Sequence, residues 1–113
     1  MAKFLFIFRD STEKRAKPSP EEMQALQQAW YAWMQKYRSA IVGGDGLKPS
    51  GRTIKAGVVS DGPYVEAKEV IASFSMIQAD NYEAALAIAR ACPGQDTGKD
   101  CHTVEIRELG GYA

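Results

Sequence analysis

The sequence predicts an α+β fold of order β-α-β-β-α-β, a four-stranded antiparallel sheet with both helices on one face. Three observations predict it. "KFLFIF" and "VIASFSMI" are apolar on both sides, as central strands must be. Two segments with helical apolar spacing follow capping signals. The 113 residues show no internal repeat, so one domain, 1–113, holds all of these elements.

The first strand is "KFLFIFR", Lys3 to Arg9, rich in aromatic and β-branched residues. A charged connection, "DSTEKRAKPSP", has no apolar periodicity and reads as a mobile surface loop. Ser19, Pro20 and Glu22 then form a helix start, with Ser19 and Glu22 spaced as a capping box. Met23, Leu26, Trp30, Trp33, Met34, Tyr37 and Ile41 recur at steps of three and four, a stripe expected to be core. Gly43, Gly44 and Gly46 are expected to stop this helix, with Asp45 as a turn residue.

"RTIKAGVVS", Arg52 to Ser60, alternates Ile54, Ala56 and Val58 against Lys55, Gly57 and Val59, and predicts an edge strand. After an Asp-Gly-Pro turn comes the third strand, Glu69 to Gln78. Simple alternation places Val70, Ala72, Phe74 and Met76 on one side, and Ile71, Ser73, Ser75 and Ile77 on the other. A second helix is predicted from Asp80, capped with Glu83, turning Ala85, Leu86, Ala89 and Cys92 inward and ending at Pro93-Gly94. "HTVEIREL" closes the chain as the other edge strand, Val104 and Ile106 on its apolar face.

Two helices cover one face of such a sheet. The other face, carrying either the Phe4/Phe6/Phe8 set or the Leu5/Ile7 set, would expose a large apolar patch. A second copy packed sheet to sheet removes it, so a homodimer enclosing a partly apolar cleft is expected.

Charge excludes some functions. Fourteen basic residues balance fourteen acidic ones, and no basic stripe interleaves with aromatics, which argues against nucleic-acid binding. The apolar part of "MAKFLFIF" is too short for a signal core or a membrane span, so a cytoplasmic location with no membrane association is the expectation. Cys92 and Cys101 are expected to be free thiols there, and with His102 they lack zinc-site spacing, so no metal or cofactor is expected.

Chemistry concentrates in "SDGPYVEAKE", Ser60 to Glu69. Asp61, Gly62 and Pro63 are turn formers. Glu66, Lys68 and Glu69 place two carboxylates beside an ammonium, where each can tune the others' ionisation toward general acid or base work. A structural ion pair against a partner subunit accounts for them equally well. The candidate catalytic residues are therefore Glu66, Lys68 and Glu69. The candidate ligand-binding residues are Asp61, Tyr64, Trp30 and Arg52.

"DGPYVEAKE" resembles the Asp-Gly-Pro-Phe-x-Glu-x-Lys-Glu signature of the YCII-related (DGPF-domain) family, with Tyr64 in place of Phe. "GGDGL", "YEAALAIARACPG" and "VEIREL" resemble the family's other segments, so the likeness covers nearly the whole chain. It implies a ferredoxin-like, dimeric α/β barrel. It implies no single shared activity. Some members carry a proposed acid/base histidine on the first helix, where this chain has Trp30, Tyr31 and Trp33. Its only histidine is His102. The glycine pair that often opens the family's third strand is Ala72 and Ser73 here. Three roles follow: a dimer binding a small molecule, an acid/base enzyme acting on a small carbonyl compound, or a regulatory module partnering a sigma factor, the last implied by the resemblance alone.

Overall fold

The computed structural model describes residues 1–11, 19–63, 69–95 and 103–111. Its main sheet is antiparallel with four strands, in the order β2-β5-β1-β6: Ile41–Gly46, Glu69–Ala79, Ala2–Ser11 and Thr103–Glu108. Helices α1 (Pro20–Lys36) and α2 (Tyr82–Arg90) supply the second layer. A separate two-stranded hairpin, β3 (Arg52–Lys55) and β4 (Val58–Asp61), stands between β2 and β5 in the chain. The α+β class and the central places of β1 and β5 agree with the sequence pattern.

The sheet's helix-covered face carries Phe4, Phe6 and Phe8, all buried with Ile77, Trp33, Ala85, Ile88 and Ala89. The rings interlock edge to face: Phe8 lies 5.5 Å from Trp30 and 6.4 Å from Trp33, centroid to centroid. Trp33 also donates its indole N–H to the Ile88 carbonyl at 3.0 Å, which ties α1 to α2. The opposite face carries Leu5, Ile7, Phe74 and Met76 by register. Those side chains are only partly buried, and neither helix packs on them.

Several expectations need correction. The edge strand is Ile41–Gly46, not Arg52–Ser60. Helix α1 already ends at Lys36, and the glycines continue a strand instead of stopping a helix. "RTIKAGVVS" folds back on itself because Ala56 (φ 51) and Gly57 (φ 79) both take positive φ, the pattern of a tight two-residue hairpin turn. Ile54 therefore pairs with Val59, and Val58 faces the other way beside Lys55.

The α1 stripe is less buried than its spacing implies. Only Trp33 is buried, Trp30 and Tyr37 are partly so, and Met23, Leu26 and Met34 are exposed. Ile41 belongs to β2, not to the helix. The capping box of Ser19 and Glu22 is formed as expected. Helix α2 starts one residue later than predicted, because Asn81 accepts from the Ala84 amide at 2.9 Å and takes the cap role assigned to Asp80. Ile88, not Leu86, joins Ala85 and Ala89 in the core.

In β5 the alternation breaks. Phe8 pairs with Ser73 but Arg9 pairs with Ile71, leaving Ala72 as the extra residue of a bulge. The register thereby moves Ile71 and Glu69 to the open face, beside Arg9 and Ser11, where simple alternation would have set Ile71 with Ser73. The connection at 12–18, the segment 64–68 and the stretch 96–102 with Cys101 and His102 lie outside the described residues.

Candidate functional site

An open groove of about 610 Å³ runs between α1 and the β2 edge. Its walls come from Phe8, Trp30, Trp33, Met34 and Ile41 on one side. On the other side lies the nearly bare backbone of Gly43, Gly44 and Gly46, with Ser73 and Ser75 on the floor. The sequence explains this shape. An edge strand written Ile-Val-Gly-Gly-Asp-Gly has too few side chains to fill the space beside α1, so the space stays open.

Gly44 is required there. It sits at φ 145, and a methyl group on its Cα would come within 2.5 Å of the Phe74 carbonyl and 2.8 Å of the Ser75 Cα. Gly44→Ala is expected to suffer both backbone strain and overpacking, each about 1–3 kcal/mol. Urea unfolding of the two proteins checks this, and Gly46→Ala, where nothing lies within 4 Å, serves as the mild control.

The groove's chemistry is aromatic and hydroxylic. Trp30 and Trp33 stand 5.7 Å apart, centroid to centroid, with planes near perpendicular. Among the described residues, Asp45, whose carboxylate accepts from the Gly46 amide at 2.8 Å, is the charged member of the lining, which includes no basic one.

Among the described residues, the sequence-predicted site residues Trp30, Arg52, Asp61 and Glu69 do not share one place. Trp30 lines the groove. Glu69 opens β5, on the opposite face of the sheet by register. Arg52 and Asp61 pair across the hairpin base at 3.3 Å, both largely in water, a contact worth little. Gly62 takes φ 90 and donates its amide to the Gly51 carbonyl at 2.8 Å, which ties the base of the hairpin opposite its Ala56-Gly57 turn. Tyr64, Glu66 and Lys68 lie outside the described residues. Sequence reasoning missed Phe8, Asp45, Ser73, Ser75 and the β2 glycines. The available signal was three glycines within four residues directly after an Ile-Val pair, which marks close backbone approach as well as a helix stop.

On the open face, Glu105 is held by two guanidinium groups. Arg9 donates from Nε at 3.3 Å and from Nη2 at 3.1 Å, and Arg107 from Nη1 at 3.3 Å. The Arg9 hydrogen bonds, then those of Arg107, hold the Glu105 carboxyl below its ordinary value. Its contribution to stability is therefore complete above the usual glutamate range and is lost as pH falls through the lowered value. Melting temperatures followed down through the carboxylate range should show a shallower acid limb in Glu105→Gln than in the parent protein.

A second groove, between the helices, is lined by Trp33, Tyr37, Arg90 and Cys92 among others. Burial pushes the Cys92 thiol up to about 12, so it holds almost no thiolate at neutral pH and makes a poor nucleophile. Among the described residues no cluster of three His, Cys, Asp or Glu side chains is placed to hold a metal ion. No helix among them is long and apolar enough to cross a membrane.

A model of the YCII-related domain matches residues 2–109. The fold is similar to that of a 5-chloro-2-hydroxyhydroquinone dehydrochlorinase from Burkholderia phenoliruptrix AC1100, solved in complex with 2,5-dihydroxybenzoquinone. That likeness has a TM-score of 0.52 at 17% identity and covers 97% of this chain and 95% of the other. No curated protein matches the chain.

Proposed function

The chain belongs to the YCII-related family, and from that premise we propose that it is a homodimer binding a small, planar, hydroxylated aromatic or quinonoid molecule in the groove beside β2. The observation that carries this reading is the lining itself. Aromatic walls of Phe8, Trp30 and Trp33 meet a strand with almost no side chains, so a flat ring can lie against backbone on one side and indole on the other. Hydroxyls on such a ring would find acceptors in the Ser73 and Ser75 oxygens. The similar dehydrochlorinase was solved with a dihydroxybenzoquinone, a molecule of this shape. Self-association is supported by the uncovered Leu5, Ile7, Phe74 and Met76.

Tryptophan fluorescence titration against small phenols, quinones and aliphatic acids tests the ligand. Saturable quenching by a ring compound, lost in Trp30→Ala while the fold persists by circular dichroism, is the expected result. Failure of every ring compound, or equal binding by Trp30→Ala, would contradict the reading.

A second reading places acid/base catalysis at Glu66, Lys68 and Glu69. Its support is Glu69 at the head of β5 on the open face, where a sheet-to-sheet cleft would form. Glu66→Gln and Lys68→Ala would then abolish turnover of a ligand found by the titration, and unchanged turnover would remove the assignment.

A further inference from the structure

Among the described residues the β3–β4 hairpin has no third strand and no helix to lie on. Four residues on each strand, with no third strand and no helix against them, make a unit that is marginal in water. Yet it carries three β-branched residues in the open: Ile54 is 68%, Val58 67% and Val59 61% exposed. Ile54 and Val59 are direct partners, so together they form an apolar patch on one face of the hairpin. The molecule is correspondingly spread out. Its radius of gyration is 15.6 Å, where roughly 13 Å is usual for this length, and its extents are 47 × 41 × 19 Å.

The same chain carries a strand edge with no neighbour. On one side β2 pairs with β5, and on the other no described strand pairs with it. Edges left in water are usually guarded by lysine, proline or a covering element. This edge is Ile-Val-Gly-Gly-Asp-Gly, without a lysine or a proline, and its one irregularity is a register shift between Ile41 and Gly43. Beside it lies the open groove with Met34 and Val42 46% and 47% exposed. The edge and the hairpin are also complementary in charge, with Asp45 on one and Lys55 on the other.

We propose that the hairpin is an exchange arm: in the homodimer it lies along the β2 edge of the second copy, and the second copy's arm does the same in return. The arm adds strands to the partner's sheet and seats the Ile54/Val59 pair over the groove. Lys55 comes beside the partner's acidic edge. Each groove is then walled on its open side by a segment of the other chain, so the binding site is complete only in the pair. A closed two-fold exchange of this kind uses the hairpin and the β2 edge of each copy once. This contact is additional to the open-face association, and different variants probe each.

The test uses two differently tagged full-length chains, both with Cys101→Ser, one carrying Val58→Cys on the arm and the other Val42→Cys on the edge. Mixed, allowed to exchange subunits and treated with a short bismaleimide, they should give a covalent product of mixed tag as the main species. Ile54→Asp/Val59→Asp in the arm chain should abolish that product and raise acrylamide quenching of the groove tryptophans, while the far-ultraviolet spectrum stays unchanged. The absence of a mixed product from chains that still exchange, or its persistence in the aspartate variant, would overturn the proposal. Ligand binding enters neither readout, so failure of the arm is distinguishable from failure of the groove.

Discussion

Replacing Trp33 by alanine is expected to lower the unfolding free energy by about 3–5 kcal/mol, a large part of the 5–15 kcal/mol that holds a domain of this size. Trp33 is the one buried residue of α1, and it meets Phe8, Trp30 and Tyr37 as well as the Ile88 carbonyl. The Met23, Leu26 and Met34 side chains around it are exposed, so little else fastens the helix to the sheet. Loss of the indole should free α1 as a unit. Trp33→Phe separates the causes. It keeps a ring in the core and loses the donor. The Ile88 carbonyl keeps its bond from the Ala91 amide at 3.2 Å, so the polar loss should be near 1 kcal/mol. Chemical unfolding of both variants gives the comparison, and equal losses would mean that the hydrogen bond, not the packing, secures the helix.

The second large effect concerns association. Phe74 and Met76 lie on the open face of a central strand, opposite Ile7 and Leu5 of its neighbour. Phe74→Glu would set a carboxylate in the middle of the proposed sheet-to-sheet contact. The loss expected for a central aromatic is about 2–4 kcal/mol, tens-fold to several-hundred-fold in Kd, with the desolvation of the new charge added to it. Phe74 is outside the buried core, so the monomer should still fold. Sedimentation velocity across a concentration series checks this. An unchanged dimer in Phe74→Glu would show that the open face is not the contact.

Where the sequence was legible, the reason is that long-range and local preferences agreed. The two central strands are apolar on both faces, one packed against the helices and the other carrying Leu5, Ile7, Phe74 and Met76, and that doubled apolarity is visible in "KFLFIF" and "VIASFSMI" without any partner. Ser19 and Glu22 could be read because a capping box is complete within four residues. The β2 strand was illegible because it contradicts its own propensities. Glycine weakens a strand, and Gly43, Gly44 and Gly46 form one only because β5 supplies a backbone to bond to. The hairpin was misread for a similar reason. Ala56 at φ 51 is an uncommon turn residue, so "KAGV" looked like continuous alternation. The bulge at Ala72 then reversed the faces of Ile71 and Glu69, which alternation alone cannot foresee.

The site followed the same pattern. Trp30 stood out by its place on an aromatic stripe, and it lines the groove as well as packing on Phe8. The groove itself depends on what is missing from β2, and a space left by absent side chains leaves little mark on hydropathy or charge.

The proposed homodimer, and with it a groove completed by a second chain, depends on this protein associating with a copy of itself. The most direct measurement is the mass of the purified chain in solution by multi-angle light scattering at micromolar concentration. Twice the 12.4 kDa chain mass is the expected value. A mass of one chain, with the fold intact, would contradict the account.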